Sequence, residues 1–141
     1  MILATDLVAT GRSWLGVPFR HQGRSRLGVD CAGFLVELMR STGHLPTNFA
    51  APAAYGRRPT GELRAIVERY CTRTGIPGPG VLVLLSWPPD PEPHHVALCT
   101  GPTLIHSYQR ARGVVENGYR GPWVRNTHSL WRLPGVDYEA R

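Results

Sequence analysis

Apolar positions along this chain change their period once, near residue 80, and the change separates helical from extended patterning. In residues 3–15 (LATDLVATGRSWL), Leu3, Leu7, Trp14 and Leu15 fall near one face at helical spacing, and Gly16 and Pro18 end the run. From Cys31 to Thr42 the same spacing returns in Phe34, Leu35, Leu38 and Met39, with Gly43 as the stop and Asp30 as the N-cap. A third helix is predicted from Thr60 to about Arg73, with Glu62 in its first turn and Leu63, Ile66, Val67 and Tyr70 facing inward. A Gly- and Arg-rich loop occupies residues 19–29, and a second loop with three prolines occupies 44–59. After the turn GIPGPG the period falls to two. VLVLLSW, HVALCT, TLIHSY and GVVEN read as short strands, and SLWRL is expected to close the sheet. Helices first and strands afterwards predict one α+β domain over residues 1–141, its N-terminal helices packed on a small antiparallel sheet.

Composition narrows the function classes. At 141 residues and 42% hydrophobic content, the chain can bury a core of its own. Its longest apolar run, Val81 to Leu85, is too short to cross a bilayer, so no membrane insertion is expected. The opening stretch MILATDLVATGR has no basic run and carries Asp6 early. No secretory signal is expected, and a protein made in the cytoplasm would need another carrier to act outside it. Net charge is +6, and all 16 basic residues are arginine. They are scattered and form no helical stripe, which argues against nucleic acid and leaves an anionic wall or an acidic protein as partner. The three cysteines have no CxxC spacing, so neither a disulfide framework nor a cysteine-rich zinc site is predicted.

Among the cysteines, Cys31 stands apart. It falls in the first turn of its helix, where unpaired N–H groups and the helix dipole favour a thiolate. Nucleophile and small core filler both remain open for it on local grounds. Cys71, at a helix tail, and Cys99, within a strand, read as buried small residues. A thiol nucleophile needs an imidazole to take its proton and return it to the leaving group. His21, His44 and His128 read as surface residues. His95 and His106 are more informative. A hairpin turning at Thr100 to Thr103 sets His95 near Tyr108 and His106 near Ala97, with both histidines on one face. His94 would be the base if the register slipped by one; period two favours His95, with Ala97 and Cys99. A zinc site from His94, His95, His106 and a cysteine is disfavoured, because adjacent strand residues point to opposite faces.

The order GVPFRHQG, GVDCAGFLVEL, PGPGVLVLLSW and HHVALCTGPTLIHSYQRARGVVE resembles the NlpC-type cell-wall peptidases, which are papain-like cysteine peptidases cutting peptidoglycan stems. The likeness runs from about Gly11 to Pro134 and is nearest to the branch found in bacteriophage and gene-transfer-agent tails, which ends in stretches like SLWRLPG. The resemblance implies a papain-like fold with Cys31 as nucleophile at a helix N-terminus, His95 as general base and His106 as the third polar residue. It implies no cofactor and no metal. Asp30, Phe19, Arg24 and Arg26 are the expected substrate contacts, the arginines as grips for stem carboxylates. The implied reaction is hydrolysis of the γ-D-glutamyl–diamino acid bond, with tail-tip proteins as partners and action in the periplasm or wall. Phe19 stands where the family usually has tyrosine, Ala32 where it often has serine, and Val81 where an aspartate is usual. These departures motivate a second reading, a catalytically silent tail-tip or wall-binding module. A third is an amidase or acyltransferase with the same thiol–histidine architecture.

Overall fold

In the computed structural model, which describes residues 1–43 and 61–139, the change of period is the seam of the fold. Before it come β1 (Ile2–Leu3), α1 (Ala4–Arg12), β2 (Arg24–Ser25), β3 (Gly28–Val29), α2 (Cys31–Ser41), α3 (Glu62–Tyr70) and β4 (Thr72–Thr74). After it come β5 (Leu82–Leu85), β6 (His95–Cys99), β7 (Thr103–Tyr108), a 3-10 turn at Gln109–Ala111, β8 (Gly113–Gly118), α4 (Pro122–Arg125), β9 (Thr127–Arg132) and β10 (Val136–Asp137).

Each helix follows its apolar stripe, with corrections at the ends. Leu7, Val8, Gly11 and Trp14 are buried along α1 and just beyond it. Leu3 and Leu15, expected on the same face, are exposed because the helix runs only from Ala4 to Arg12 and leaves both outside. In α2 the four predicted core residues, Phe34, Leu35, Leu38 and Met39, are each at most 1% exposed. Gly43 follows the C-cap Thr42 at φ +73, a left-handed position that suits glycine. The third helix stops at Tyr70, and Arg73, expected in its tail, lies in β4 instead. Gly61 occupies the N-cap position of α3. Thr60, His44 and the loop at 44–59 lie outside the described residues.

The main sheet has the order β4-β9-β5-β6-β7-β8, antiparallel throughout. SLWRL joins this sheet within β9, though not at its edge. Instead β9 inserts between β4 and β5, pairing Trp131 with Leu82 on one side and with Arg73 on the other. Its buried Ser129 and Trp131 need neighbours on both sides, whereas β4, with exposed Thr72 and Arg73, is suited to an edge. One face of the sheet presents Leu82, Leu84, Val96, Leu98 and Ile105 to the helices. The other buries Val83, Leu85, Ala97, Cys99 and Leu104 under Trp87, Tyr119 and Trp123. Covering on both faces explains why Val81 to Leu85 is continuously apolar rather than alternating. Helices packed against an antiparallel sheet give the α+β architecture that the patterning predicts.

Candidate active site

The site begins where α2 meets the sheet. Asp30 is buried, and its carboxylate accepts the Gly33 N–H at 2.8 Å, capping the helix. Its second oxygen accepts the Gln22 N–H at 2.7 Å, which ties the preceding loop to the helix start. Gly33 is required there, since a Cβ would collide with the Gly23 carbonyl oxygen. Ser107 of β7, fully buried, donates to the Val29 carbonyl at 2.7 Å and fastens the same junction to the sheet. Cys31 is thus the first residue of a helix held from three directions. Its Sγ lies against β6, 3.8 Å from the His94 carbonyl oxygen.

His95 and His106 lie on the sheet face away from α1 and α2. The pairs Leu98↔Ile105 and Cys99↔Leu104 give the register in which His95 stands opposite Tyr108 and His106 opposite Ala97, as the hairpin predicts. His95 Nε2 and His106 Nδ1 are 2.6 Å apart. His106 Nε2 is in turn 2.5 Å from Asn117 Oδ1 on β8, and Asn117 Nδ2 donates to the Gly118 carbonyl at 3.1 Å. Residues 95, 106 and 117 form a diagonal line across three adjacent strands, because each successive hairpin carries the chain forward by 11 positions. Aromatic rings enclose the pair. Tyr108 stacks on His106 at 5.3 Å between centroids, and Trp123 of α4 meets His106 edge-on at 4.9 Å. Trp87 reaches His95 at 6.1 Å and Trp123 at 5.3 Å.

Electrostatically the resting groups are neutral. Burial, followed by the charge of Asp30, pushes the Cys31 thiol up to about 12, against the backbone N–H groups of Val96, Ala32 and Cys31 itself that favour the thiolate. The expectation of a lowered thiol pKa at the helix N-terminus is therefore corrected: loss of hydration outweighs the helix-end donors. Burial also holds His95 well below its ordinary value, with the neighbouring His106 and His94 adding to the effect. His106 is lowered by burial too, partly offset by its bond to Asn117. A neutral imidazole beside a neutral thiol can accept a proton as the thiol reacts. Among the described residues no hydrogen bond joins the Cys31 thiol to either histidine ring.

Other candidates are distributed differently. Asp30 has both carboxylate oxygens on backbone donors, which makes it a builder of the helix start. Arg26 donates to the Ser13 carbonyl at 2.6 Å and lies 3.8 Å over the Trp14 ring, so its guanidinium is engaged at the end of α1. Arg24 lies in β2 opposite Val29, and half-buried Phe19 bridges to Val29 with its N–H donated to the Arg112 carbonyl. His94 turns its ring toward Trp87 and pairs Nδ1 with the Glu92 carbonyl. Among the described residues no three of His, Cys, Asp or Glu are grouped to hold a metal ion. Sequence reasoning missed Asn117 and Trp123. Asn117 was findable, since it repeats the 11-residue step from His95 to His106, whereas Trp123 reaches the site only through the turn into α4.

No family model matches the chain. A curated relative, "Probable endopeptidase NlpC" of Escherichia coli (strain K12), is 55% identical over 29 residues, a segment covering 21% of this chain and 19% of the relative. Among solved structures, an NlpC/P60 family protein from Bacillus cereus ATCC 10987 is similar at TM-score 0.66 and 25% identity, over 92% of this chain and 40% of that one. The NlpC/p60 domain of the peptidoglycan hydrolase SagA is similar at TM-score 0.60 and 18% identity, over 93% of this chain and 98% of the domain. A lipoprotein-like protein of the NLP/P60 family from Staphylococcus aureus subsp. aureus Mu50 is similar at TM-score 0.63 and 14% identity, over 92% and 41%. The last two show the fold alone. The chain is thus similar to NlpC/P60 proteins in overall fold and, over one short segment, in sequence.

Proposed function

We propose that this chain is a cysteine peptidase that hydrolyses amide bonds in the peptide stems of bacterial peptidoglycan, at the γ-D-glutamyl–diamino acid bond. The observation that carries the reading is the buried His95–His106 pair, 2.6 Å apart across β6 and β7, with the Cys31 thiol against the start of β6. In the proposed reaction His95 takes the Cys31 proton as Sγ attacks the amide carbonyl. The Cys31 backbone N–H, at the open end of α2, is suited to the developing oxyanion. His95 then passes its proton to the leaving amine, and water, deprotonated by His95, cleaves the thioester and restores the thiol.

This mechanism starts from a neutral pair. Proton transfer accompanies attack, rather than preceding it as a stored thiolate–imidazolium ion pair. Purified peptidoglycan incubated with the protein tests the reading: wild type should release muropeptides, and Cys31→Ala should release none while remaining folded. Product masses separate endopeptidase from amidase or acyltransferase action. The silent-module reading draws on Ala32 and on the absence, among the described residues, of a thiol–imidazole hydrogen bond. Wild-type protein that releases nothing from several wall types, with Cys31 unlabelled by iodoacetamide at neutral pH, would favour it. The likeness to tail-associated enzymes supports delivery to the wall by a phage-like tail, with tail-tip proteins as partners. Mass spectrometry of purified particles tests that placement.

A further inference from the structure

Asn117 has no hydrogen bond to Cys31, yet it ends the hydrogen-bonded line that begins at His95. We infer that Asn117, acting through His106, holds His95 in its Nε2–H tautomer and so leaves Nδ1 as the bare, proton-accepting nitrogen. Asn117 is a positioning residue in this account, which rests on the reading of His95 as the general base.

The reasoning is a count of protons along a short chain. Asn117 offers an oxygen and an NH2 group, and the two are told apart by what each faces. Its Nδ2 donates to the Gly118 carbonyl, an acceptor that has no proton to give, so the oxygen must be the end turned toward His106. An amide oxygen only accepts. His106 Nε2, 2.5 Å away, therefore carries a proton. A neutral imidazole carries one proton on its two nitrogens, so His106 Nδ1 is bare. The bond between the rings must then be made by a proton on His95 Nε2. His95 is neutral in turn, and its second nitrogen, Nδ1, holds a lone pair. Both rings are kept neutral near pH 7 by burial. Reversing the amide would reverse every step and put a proton on His95 Nδ1, where it could not act as a base.

Two features fix the end of the line. The 11-residue spacing places Asn117 diagonally beside His106, as His106 is beside His95. Trp123 packs edge-on against His106, and Tyr108 stacks on the ring, so the imidazole has little freedom to turn over. The amide thus selects between two proton arrangements of otherwise similar geometry.

The test records side-chain imidazole 15N resonances of uniformly labelled protein at pH 7 for wild type, Asn117→Leu and Asn117→Asp, with pH profiles for hydrolysis of a stem peptide. Wild type should show the Nε2–H tautomer at both His95 and His106. Asn117→Leu should mix or invert both tautomers and lower kcat/KM by about 10- to 100-fold, the loss of one half-buried hydrogen-bond acceptor. Asn117→Asp keeps an acceptor and adds a negative charge. It should retain both tautomers and move the imidazole titration, with the acid limb of activity, to higher pH. An Nδ1–H form at either ring in wild type would overturn the inference. So would Asn117→Leu spectra and pH profile matching wild type. If Asn117→Leu fails to fold, an unmoved titration in Asn117→Asp overturns it equally. Absence of hydrolysis by wild type, with the tautomers as described, would instead count against the peptidase reading and leave the proton arrangement standing.

Discussion

The Cys31 thiol lies 3.8 Å from the carbonyl oxygen of His94, the residue just before the histidine assigned as base. That carbonyl accepts a proton from sulfur and gives nothing to a thiolate, so the contact favours the protonated form. With burial pushing the thiol up to about 12, alkylation by iodoacetamide should be slow at pH 7 and should rise about tenfold per pH unit through pH 9 to 11. His95→Ala should leave this profile unchanged. Peptide mapping of the labelled protein reads it out for Cys31 separately from Cys71, which burial pushes to about 12 as well. Fast, His95-dependent labelling at pH 5 to 7 would mean that a stored ion pair exists.

Stability should fall in acid. Both His95 and His106 have folded pKa values depressed by burial. The stabilisation linked to these depressed values is fully present above the ordinary histidine value near 6.5, and is lost as pH falls below it toward the folded values. In that window the unfolded chain binds protons that the folded chain refuses, by up to about 1.4 kcal/mol per pH unit for each histidine. Thermal melts between pH 8 and pH 5 should show the decline, and His106→Gln should flatten it.

Gly33→Ala should cost about 1–3 kcal/mol, since the new Cβ meets the Gly23 carbonyl and the loop must move. Asp30→Ala should cost a similar amount by removing the helix cap and the Gln22 tie. Urea denaturation measures both. Each should also lower any hydrolytic rate, because both residues position the first turn that carries Cys31.

Arg26→Ala separates a packing role from a substrate role. The loss of its Trp14 and Ser13 contacts should lower stability by about 0.5–1 kcal/mol and leave KM for a stem peptide unchanged. A raised KM with unchanged stability would restore Arg26 as a grip for substrate carboxylate.

Much of this molecule was legible in local patterning. The stripe of Phe34, Leu35, Leu38 and Met39, the cap at Asp30 and the stop at Gly43 all depend on residues within one or two turns of each other. The hairpin register that brings His95 to His106 follows from one short turn and period two. Such features are decided by neighbours in sequence, so the sequence alone determined them.

Tertiary structure decided what depends on distant neighbours. No local signal says that β9 slips between β4 and β5, because that choice compares the burial of Trp131 with the exposure of Thr72 and Arg73 across the whole sheet. Arg26 is engaged by Trp14, 12 positions away, and Trp123 comes over His106 only once α4 has turned back. The ionisation of Cys31 shows the same division most clearly. Its place at a helix start is written in GVDCAGFLVELMR, and that place alone favours a thiolate. Burial, the largest cause of the upward shift, depends on chain from elsewhere in the fold, such as the His94 carbonyl more than sixty residues later.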